Sequence, residues 1–209
     1  MSEDVEYNFK IILVGEGGVG KSSLIRRYIH NQFDFNNPMT IGVDSEMKRL
    51  TLDGHSVMLH LWDTAGQEKF GSLTSQFIRG SHAAVLVYDI TNQKSFQNLF
   101  RRWIDKVREW GTNNMVYMLI GNKADEEEKR QVTQELAVNK AKENNMLFLE
   151  TSCMNCFNVE KAFQEIIGQM WNKNRIGSQN LNSVILGPRR GIQALDTEEI
   201  PKKPKRRWC

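Results

Sequence analysis

The sequence predicts an α/β fold in which helices cover both faces of a mostly parallel β-sheet. Short apolar runs rich in β-branched residues recur along the chain, and the segments between them carry apolar residues at helical spacing. The first run also leads through a glycine-rich turn into a helix. Continuous apolar runs are typical of parallel strands buried on both faces, so this alternation favours a doubly covered sheet.

Six segments read as strands. Four are apolar runs: Phe9 to Val14, Ala83 to Tyr88, Met115 to Ile120 and the short Leu147 to Leu149. Two more, Val43 to Leu52 and Ser56 to Trp62, flank the dipeptide Asp53-Gly54, a strong hairpin signal. We therefore expect one antiparallel pair within the sheet.

Helices fall between these runs. One opens near Lys21, a second follows a cap at Ser95 and stops at Gly111, and a third follows a cap at Asn158. The Trp and Phe residues of the last two helices recur at core spacing, which predicts packing rather than a cofactor site. The polar stretch from Asn31 to Thr40 reads as a loop.

Composition limits the class of protein. The chain has 209 residues, 40% hydrophobic and 25% charged, which suits one soluble domain with a tail and excludes global disorder. No uncharged apolar run is long enough to span a membrane. The polar, acidic start does not fit a secretory signal, so we expect cytosolic synthesis.

Charge divides the chain into a body and a tail. Residues 1–171 carry 19 Lys and Arg against 22 Asp and Glu, whereas residues 172–209 carry 9 against 3. Apolar periodicity also ends after Trp171. We therefore expect an N-terminal extension at 1–8, a domain at 9–172 and a flexible basic tail at 173–209.

The strongest local motif is the segment from Gly15 to Ser22, which matches G-x-x-x-x-G-K-[ST] between a strand and a helix. Glycines let backbone N–H groups turn around a phosphate, and the helix N-terminus favours negative charge. Lys21 is placed to reach the β- and γ-phosphates, and the Ser22 hydroxyl to bind Mg²⁺. The sequence therefore predicts a phosphate-binding loop.

A second motif, Asn122-Lys123-Ala124-Asp125, follows a buried strand and predicts the choice of base. A carboxylate at Asp125 accepts both the N1–H and the exocyclic amine of guanine, and it repels adenine. The stem of Lys123 can lie against the purine, and the Asn122 amide can tie this loop to the phosphate loop. The segment from Glu150 to Cys153, after the last strand, can donate backbone N–H groups to the guanine carbonyl.

A third motif, Trp62-Asp63-Thr64-Ala65-Gly66-Gln67-Glu68, ends another strand. Asp63 is suited to serve Mg²⁺ through its shell, and the Gly66 N–H to bond the γ-phosphate. Gln67 is suited to orient an attacking water. Cys153 and Cys156 form a C-x-x-C without a second ligand pair, so we expect two ordinary thiols.

Together, GEGGVGKS, TIGVD, WDTAGQEKF, NKAD and ETSC resemble the Ras superfamily of small GTPases over residues 9 to 171. The variants TIGVD, WDTAGQEKF and RGSHAAVLVYDIT are similar to the Rab branch. The resemblance implies a P-loop GTPase domain: a six-stranded, mostly parallel sheet with one antiparallel strand and five flanking helices. It also implies GTP/GDP binding with Mg²⁺ and a switch cycle.

The resemblance assigns site residues by matching motifs. Catalysis is assigned to Gln67, Lys21 and Gly66, and Mg²⁺ to Ser22, Thr40 and Asp63. The nucleotide would contact Gly15, Gly17, Gly18, Val19, Gly20, Lys21, Ser22, Ser23, Phe33, Thr40, Asp63, Gly66, Asn122, Lys123, Asp125, Ser152 and Cys153. Gly17 sits where a side chain would crowd the catalytic glutamine, so the site should be competent for hydrolysis.

Partners are implied by the same resemblance. An exchange factor, a GTPase-activating protein and effectors would read the segments around Thr40–Ser45 and Trp62–Phe77. The sequence departs from the Rab pattern at Ser45, where an aromatic is usual, at Phe77-Ile78-Arg79 and at Cys153-Met154. Ser45 removes one member of a hydrophobic effector triad with Trp62 and Phe77.

The basic C-terminus ends in a single Cys209, whereas Rabs usually end in two cysteines. A lipid on Cys209 together with the five Lys and Arg at 202–207 would anchor the chain to a membrane. The alternatives are nuclear localisation and a solvated charge run with an incidental cysteine. We favour cycling between cytosol and the cytoplasmic face of an intracellular membrane, in vesicle traffic.

Three functions compete at this stage. The first is a GTP-hydrolysing switch in trafficking, or in Ras-like signalling outside trafficking. The second is a GTPase-like adaptor that does not cycle, against which Gln67, Thr40 and Gly17 argue. The third is a nucleic-acid-binding ATPase using the tail, against which NKAD argues; the tail has one aromatic and no stacking platform, so we expect no nucleic-acid partner.

Overall fold

The computed structural model describes residues 7–34, 43–64 and 71–179. It contains one six-stranded sheet with the order β2-β3-β1-β4-β5-β6. The strands are β1 Tyr7–Val14, β2 Val43–Leu52, β3 His55–Thr64, β4 Ala83–Asp89, β5 Val116–Asn122 and β6 Leu147–Thr151. The pairing of β2 with β3 is antiparallel and every other pairing is parallel, which confirms the predicted sheet and its hairpin.

Five helices flank the sheet in the described ranges. They are α1 Lys21–His30, α2 Gly71–Ile78, α3 at 93–110, α4 Gln134–Glu143 and α5 Val159–Gln179. Helix α3 runs through a π-helical segment, Leu99–Trp103, between two α-helical stretches, and a short 3₁₀ turn spans Glu127–Lys129. No helix in these ranges has both the length and the apolar character needed to cross a bilayer.

The two faces of the sheet carry separate cores. Because side chains alternate along β1, Ile11 and Leu13 lie in one core and Ile12 and Val14 in the other. The first core is completed by α1 and α5, and the second by α2, α3 and α4. Both faces are therefore covered, as the apolar runs predicted.

Some predicted boundaries differ from the structure. β1 begins at Tyr7, so residues 7 and 8 belong to the sheet and not to the N-terminal extension. β5 extends to Asn122 and β6 to Thr151, so the first residue of the NKAD motif lies within a strand. These ends are polar residues, which hydrophobic patterning cannot assign to a strand.

Two predicted features near helix ends need correction. Asn92, and not Ser95, caps α3, because its side-chain oxygen accepts the Ser95 N–H at 3.1 Å. Helix α5 continues to Gln179, so the predicted tail boundary at 173 falls inside it. Arg175 pairs with Asp53 of the hairpin at 2.6 Å, and Lys173 donates to the Met115 carbonyl. Polar contacts extend this helix where apolar periodicity has ended.

Candidate functional site

The predicted motifs meet at one edge of the sheet, because β1, β3, β5 and β6 are parallel and end there. The glycine-rich loop follows β1, Asp63 lies near the end of β3, Asn122 ends β5 and Ser152 follows β6. In open α/β sheets, ligands bind beyond the carboxyl ends of the strands. The fold therefore gathers the described motifs where a ligand is expected.

Two glycines of the loop are fixed by close neighbours. A Cβ on Gly15 would lie 2.2 Å from the Val87 carbonyl oxygen, and a Cβ on Gly20 would lie 2.2 Å from the Asn122 side-chain nitrogen. Both residues have positive φ, at 146° and 97°. Gly17 and Gly18 are exposed, and a Cβ on either would meet no atom within 4 Å. The two ends of the loop, at Gly15 and Gly20, are thus tightly packed, whereas its crown, at Gly17 and Gly18, is open.

Lys21, the first residue of α1, places a buried cation inside this loop. Its ammonium donates to the carbonyl oxygens of Gly15 and Glu16, each at 2.9 Å, and the residue is 5% exposed. Burial lowers the pKa of Lys21 to about 8, although Asp63 and Glu16 act in the opposite direction. The loop therefore holds a cation whose hydration shell has been replaced by carbonyl oxygens.

Ser22 and Asp63 bring a hydroxyl and a carboxylate oxygen together at the start of α1. The Ser22 hydroxyl donates to the Asp63 carboxylate, and both lie beside Lys21. The next residue, Thr64, donates its hydroxyl to the Leu13 carbonyl at 2.7 Å, which fixes the end of β3 against β1. Hydroxyl and carboxylate oxygens are ligands that Mg²⁺ prefers. Ser23 follows on α1 and is half-buried.

Asn122 joins the phosphate loop to the last two strands. Its side-chain amide donates to the Val19 carbonyl at 2.9 Å, which is the tie that the sequence predicted. Its side-chain oxygen accepts the Thr151 hydroxyl at 3.1 Å and the Cys153 thiol at 3.6 Å. Asn122 is 2% exposed, so these contacts are shielded from water. One buried amide therefore aligns the loops after β1, β5 and β6.

The rest of the NKAD motif is held by side chains from neighbouring strands. The Ser152 hydroxyl donates to the Asp125 carboxylate, which connects the loop after β5 to the loop after β6. Lys123 has a positive φ of 66°, and its ammonium lies 2.5 Å from the Asp89 carboxylate at the end of β4. These contacts orient the carboxylate that the sequence assigned to guanine.

Cys153 and Phe33 complete the described part of the predicted site. Cys153 is buried, and burial raises the pKa of its thiol to about 12, so the thiol stays protonated. Cys153 and Cys156 are both free thiols. Phe33 is half-buried, packs against the core that contains α1, and lies 5.8 Å from the Arg27 guanidinium. The predicted residues Thr40, Gly66, Gln67 and Cys209 lie outside the described ranges.

Sequence reasoning missed Asp89 and Arg27. Asp89 is a buried carboxylate at the end of an apolar strand, and that position could have marked it as a site residue. Arg27 donates to the backbone carbonyls of Cys153 and Met154. Because those partners are backbone atoms more than 120 residues away, no side-chain pattern could have revealed them.

The donor groups of the site fit a nucleotide and Mg²⁺. The open crown at Gly17 and Gly18 leaves room against the loop, and the buried Lys21 ammonium supplies a positive charge where phosphates are expected. The oxygens of Ser22 and Asp63 suit a hard divalent cation. Asp125 is held in place beside the same loop system.

Comparisons with known proteins agree with this geometry. A sequence model described as the Ras family matches residues 10–172. GTP-binding protein ypt3 of Schizosaccharomyces pombe is 43% identical over 81% of this chain and 78% of its own. GTP-binding protein YPT1 of Saccharomyces cerevisiae is 41% identical over 87% of both chains, and Ras-related protein RabQ of Dictyostelium discoideum is 40% identical over 98% of both. The chain therefore belongs to the Ras family, and within it to the Rab branch.

Proposed function

We propose that the chain binds guanine nucleotides, hydrolyses GTP and acts as a molecular switch in intracellular membrane traffic. The observation that supports this most is the hydrogen bond from Asn122 to the Val19 carbonyl. It joins the glycine-rich loop to the NKAD segment, so the groups proposed for phosphate and for guanine are held together by a buried contact. The relatives named GTP-binding proteins support the same function.

Binding would divide between the two ends of the nucleotide. At the phosphate end, the loop from Gly15 to Gly20 supplies backbone N–H groups, and Lys21 supplies charge. At the base end, Asp125 would accept two hydrogen bonds from guanine, and the loop at Ser152 and Cys153 would donate to its carbonyl oxygen. Phe33 matches the aromatic that packs beside guanine in the family, and Val19 and Ser23 would line the space between these ends.

Hydrolysis would depend on positioning and charge, without a covalent intermediate. Mg²⁺ would neutralise charge on the phosphates when bound by Ser22, Asp63 and Thr40. Gln67 would orient the attacking water, and the Gly66 N–H would bond the γ-phosphate. Turnover without an activating protein should be slow, because no arginine of this chain is assigned to the transition state.

The switch would be read through the segments at Thr40–Ser45 and Trp62–Phe77. Ser45 lies opposite Trp62 in the pairing of β2 with β3, and the rings of Trp62 and Phe77 are 5.5 Å apart. An exchange factor, an activating protein and effectors would therefore meet two aromatic rings beside a small hydroxyl. The serine makes this surface less apolar than a complete aromatic triad.

Membrane attachment is proposed for the tail. A lipid on Cys209 and the basic residues at 202–207 would act together, since a single lipid chain binds a bilayer only marginally. The chain would then cycle between cytosol and the cytoplasmic face of an intracellular membrane. Signalling outside traffic stays the alternative use of the same switch.

Asp125→Asn is expected to relax guanine selectivity. An amide can pair with xanthine, which has a carbonyl where guanine has its amine, and each unpaired buried donor costs about 1–3 kcal/mol. We expect GTP to bind about 10- to 100-fold more weakly to the variant and XTP to bind better. Equilibrium competition among GTP, XTP and ATP measures both changes, with single-turnover hydrolysis in Mg²⁺ as the second readout.

The same assays test the alternatives. Preference for ATP over GTP in the unmodified chain would contradict the proposed function and favour an ATPase. Tight GTP binding without hydrolysis would favour the adaptor that does not cycle. An unchanged preference for GTP over XTP in Asp125→Asn would remove Asp125 from the base site.

Nucleotide affinity is expected to fall above pH 8. Burial lowers the pKa of Lys21 to about 8, and phosphate oxygens beside the ammonium would raise it. Binding then takes up a proton above pH 8, so titration of Lys21 should lower GDP affinity roughly tenfold from pH 7 to pH 9. Titration of GDP in Mg²⁺ at several pH values measures this slope.

Lys21→Arg is the matched control for this profile, because its guanidinium stays charged across the whole window. Lys21→Arg should bind GDP more weakly than the native chain does. The drop in GDP affinity that titration of Lys21 causes between pH 7 and pH 9 should be absent from the variant. Parallel profiles for the two proteins would show that Lys21 does not titrate on binding.

A further inference from the structure

We propose that Arg27 is a positioning residue that fixes the base-recognition loop against the end of α1, and so sets the rate of nucleotide release. The base-recognition loop is the segment 152–158 between β6 and α5. This inference rests on the proposed binding of guanine nucleotides. It adds Arg27, a residue outside the groups proposed to bind the phosphates and Mg²⁺.

The Arg27 guanidinium bridges two separate parts of the chain. Its Nε donates to the Cys153 carbonyl at 2.7 Å, and one terminal nitrogen donates to the Met154 carbonyl at 3.3 Å. The other terminal nitrogen donates to the Asn31 carbonyl at 2.9 Å and to the Asn31 side-chain oxygen at 3.2 Å. All four acceptors are backbone or amide oxygens, so these contacts fix position rather than pair charge.

The residues held by Arg27 lie at the predicted base end. Cys153 follows Ser152, whose hydroxyl donates to the Asp125 carboxylate. The Cys153 thiol donates to the side-chain oxygen of Asn122. The guanidinium also lies 5.8 Å from the ring of Phe33, the residue matched to the aromatic beside guanine. One side chain therefore contacts both elements that would enclose the base.

The base-recognition loop needs this support because its own backbone is strained. Cys156 and Asn158 have positive φ, at 66° and 54°, in the left-handed region that costs free energy for residues other than glycine. Ser152 and the buried Cys153 thiol hold the loop to Asp125 and Asn122, and Arg27 holds it to α1 through the carbonyls of residues 153 and 154. Loss of Arg27 leaves two carbonyls without these donors, and the contact from the Cys156 thiol to the Asn31 side-chain oxygen at 3.8 Å is then a weaker tie between the loop and the end of α1.

Helix α1 explains why the contacts of Arg27 would affect nucleotide release. The helix starts at the phosphate end with Lys21 and Ser22 and ends at His30, and its cap residue Asn31 has a left-handed conformation and accepts hydrogen bonds from Arg27. A single rigid helix therefore sets the distance between the phosphate site and the base-recognition loop. Arg27 fixes the C-terminal end of α1 to the base-recognition loop, so its loss should affect only the base end of the nucleotide site.

Arg27→Met tests this role, because methionine keeps an apolar stem and removes every N–H donor. We expect GDP to leave about tenfold faster from the variant, measured by displacement of a fluorescent GDP analogue in Mg²⁺. Arg26→Met, the same change at the preceding position of α1, is the control and should leave the rate within twofold of the native chain. Arg27→Lys keeps the charge but lacks the planar fork, and should resemble Arg27→Met.

Base analogues distinguish positioning from general support of the fold. The diphosphate of 2-aminopurine riboside lacks both the 6-carbonyl that the loop would bind and the N1–H that Asp125 would accept, whereas IDP keeps both groups and lacks only the amine read by Asp125. Arg27→Met should reduce the preference for GDP over the 2-aminopurine diphosphate several-fold. It should leave the preference for GDP over IDP within twofold.

The results separate this inference from the proposed function. Equal acceleration for all three diphosphates, or native behaviour of Arg27→Lys, would overturn the positioning role. A native chain that binds ADP as well as GDP would overturn the proposed function and this inference with it. If the native chain prefers guanine and Arg27→Met releases GDP at the native rate, only this inference is overturned.

Discussion

Gly15→Ala is expected to abolish nucleotide binding and to destabilise the fold. The added Cβ would lie 2.2 Å from the Val87 carbonyl oxygen, and both are backbone positions that no rotamer change can separate. Alanine is also strained at a φ of 146°. We expect a loss of at least about 3 kcal/mol in the free energy of unfolding and no detectable GDP affinity, because β4 must move away from the loop.

Gly17→Ala is the matched control on the same loop. Its Cβ would meet no atom within 4 Å, and Gly17 has no positive φ, so stability and GDP affinity should stay close to native values. Urea unfolding with and without GDP measures both properties. Hydrolysis should fall in Gly17→Ala if a side chain there crowds Gln67. Equal stability of the two variants would show that β4 tolerates displacement at Val87.

The contrast between these glycines shows what the sequence could and could not predict. The motif predicts that Gly15, Gly17 and Gly20 belong to a phosphate loop. Spacing alone does not distinguish a glycine packed against a neighbouring strand from one facing open space. That difference depends on how close β4 and Asn122 approach the loop, which is set by sheet order.

Apolar periodicity predicted the strands and the longer amphipathic helices because each buries a continuous stripe. It did not predict α4, whose buried residues are the small Ala137 and Ala141, or the end of α5 at Gln179. In α4, capping by Thr133 contributes where apolar pattern is weak. Elements stabilised by caps, small residues or long-range polar contacts leave little periodic signal in a sequence.

The site residues likewise divide into those that the sequence could predict and those that it could not. Roles for Lys21, Ser22, Asn122 and Asp125 could be proposed from the sequence, because their side chains have the chemistry that a guanine-nucleotide site needs. Arg27 was not predictable, because it acts through carbonyl oxygens of Cys153 and Met154 that any residue would supply. The contact that Arg27 makes between α1 and the loop after β6 is therefore visible only in the fold, whereas the tie through Asn122 was predicted from the sequence.

Ser22→Asn is expected to remove the effect of Mg²⁺ on nucleotide binding. In the structure the Ser22 hydroxyl donates to the Asp63 carboxylate, so the two oxygens proposed for the cation are already adjacent. Asparagine replaces the hydroxyl with a longer amide that would place a nitrogen or a displaced oxygen beside Asp63. Changes around a metal's ligands typically cost 10- to 100-fold in affinity, and loss of a direct ligand should reach at least about 100-fold for GTP.

The effect should be larger for GTP than for GDP, because the γ-phosphate adds negative charge that the cation would neutralise. Dissociation constants for both nucleotides in Mg²⁺ and in EDTA measure this difference. In EDTA the native chain and Ser22→Asn should bind GTP within a few-fold of one another, since the hydroxyl then has no cation to hold. Ser22→Thr, which keeps the hydroxyl, is the control and should retain the effect of Mg²⁺. A 100-fold loss that persists in EDTA would assign Ser22 to the phosphates or to the fold, and the magnesium site would need different ligands.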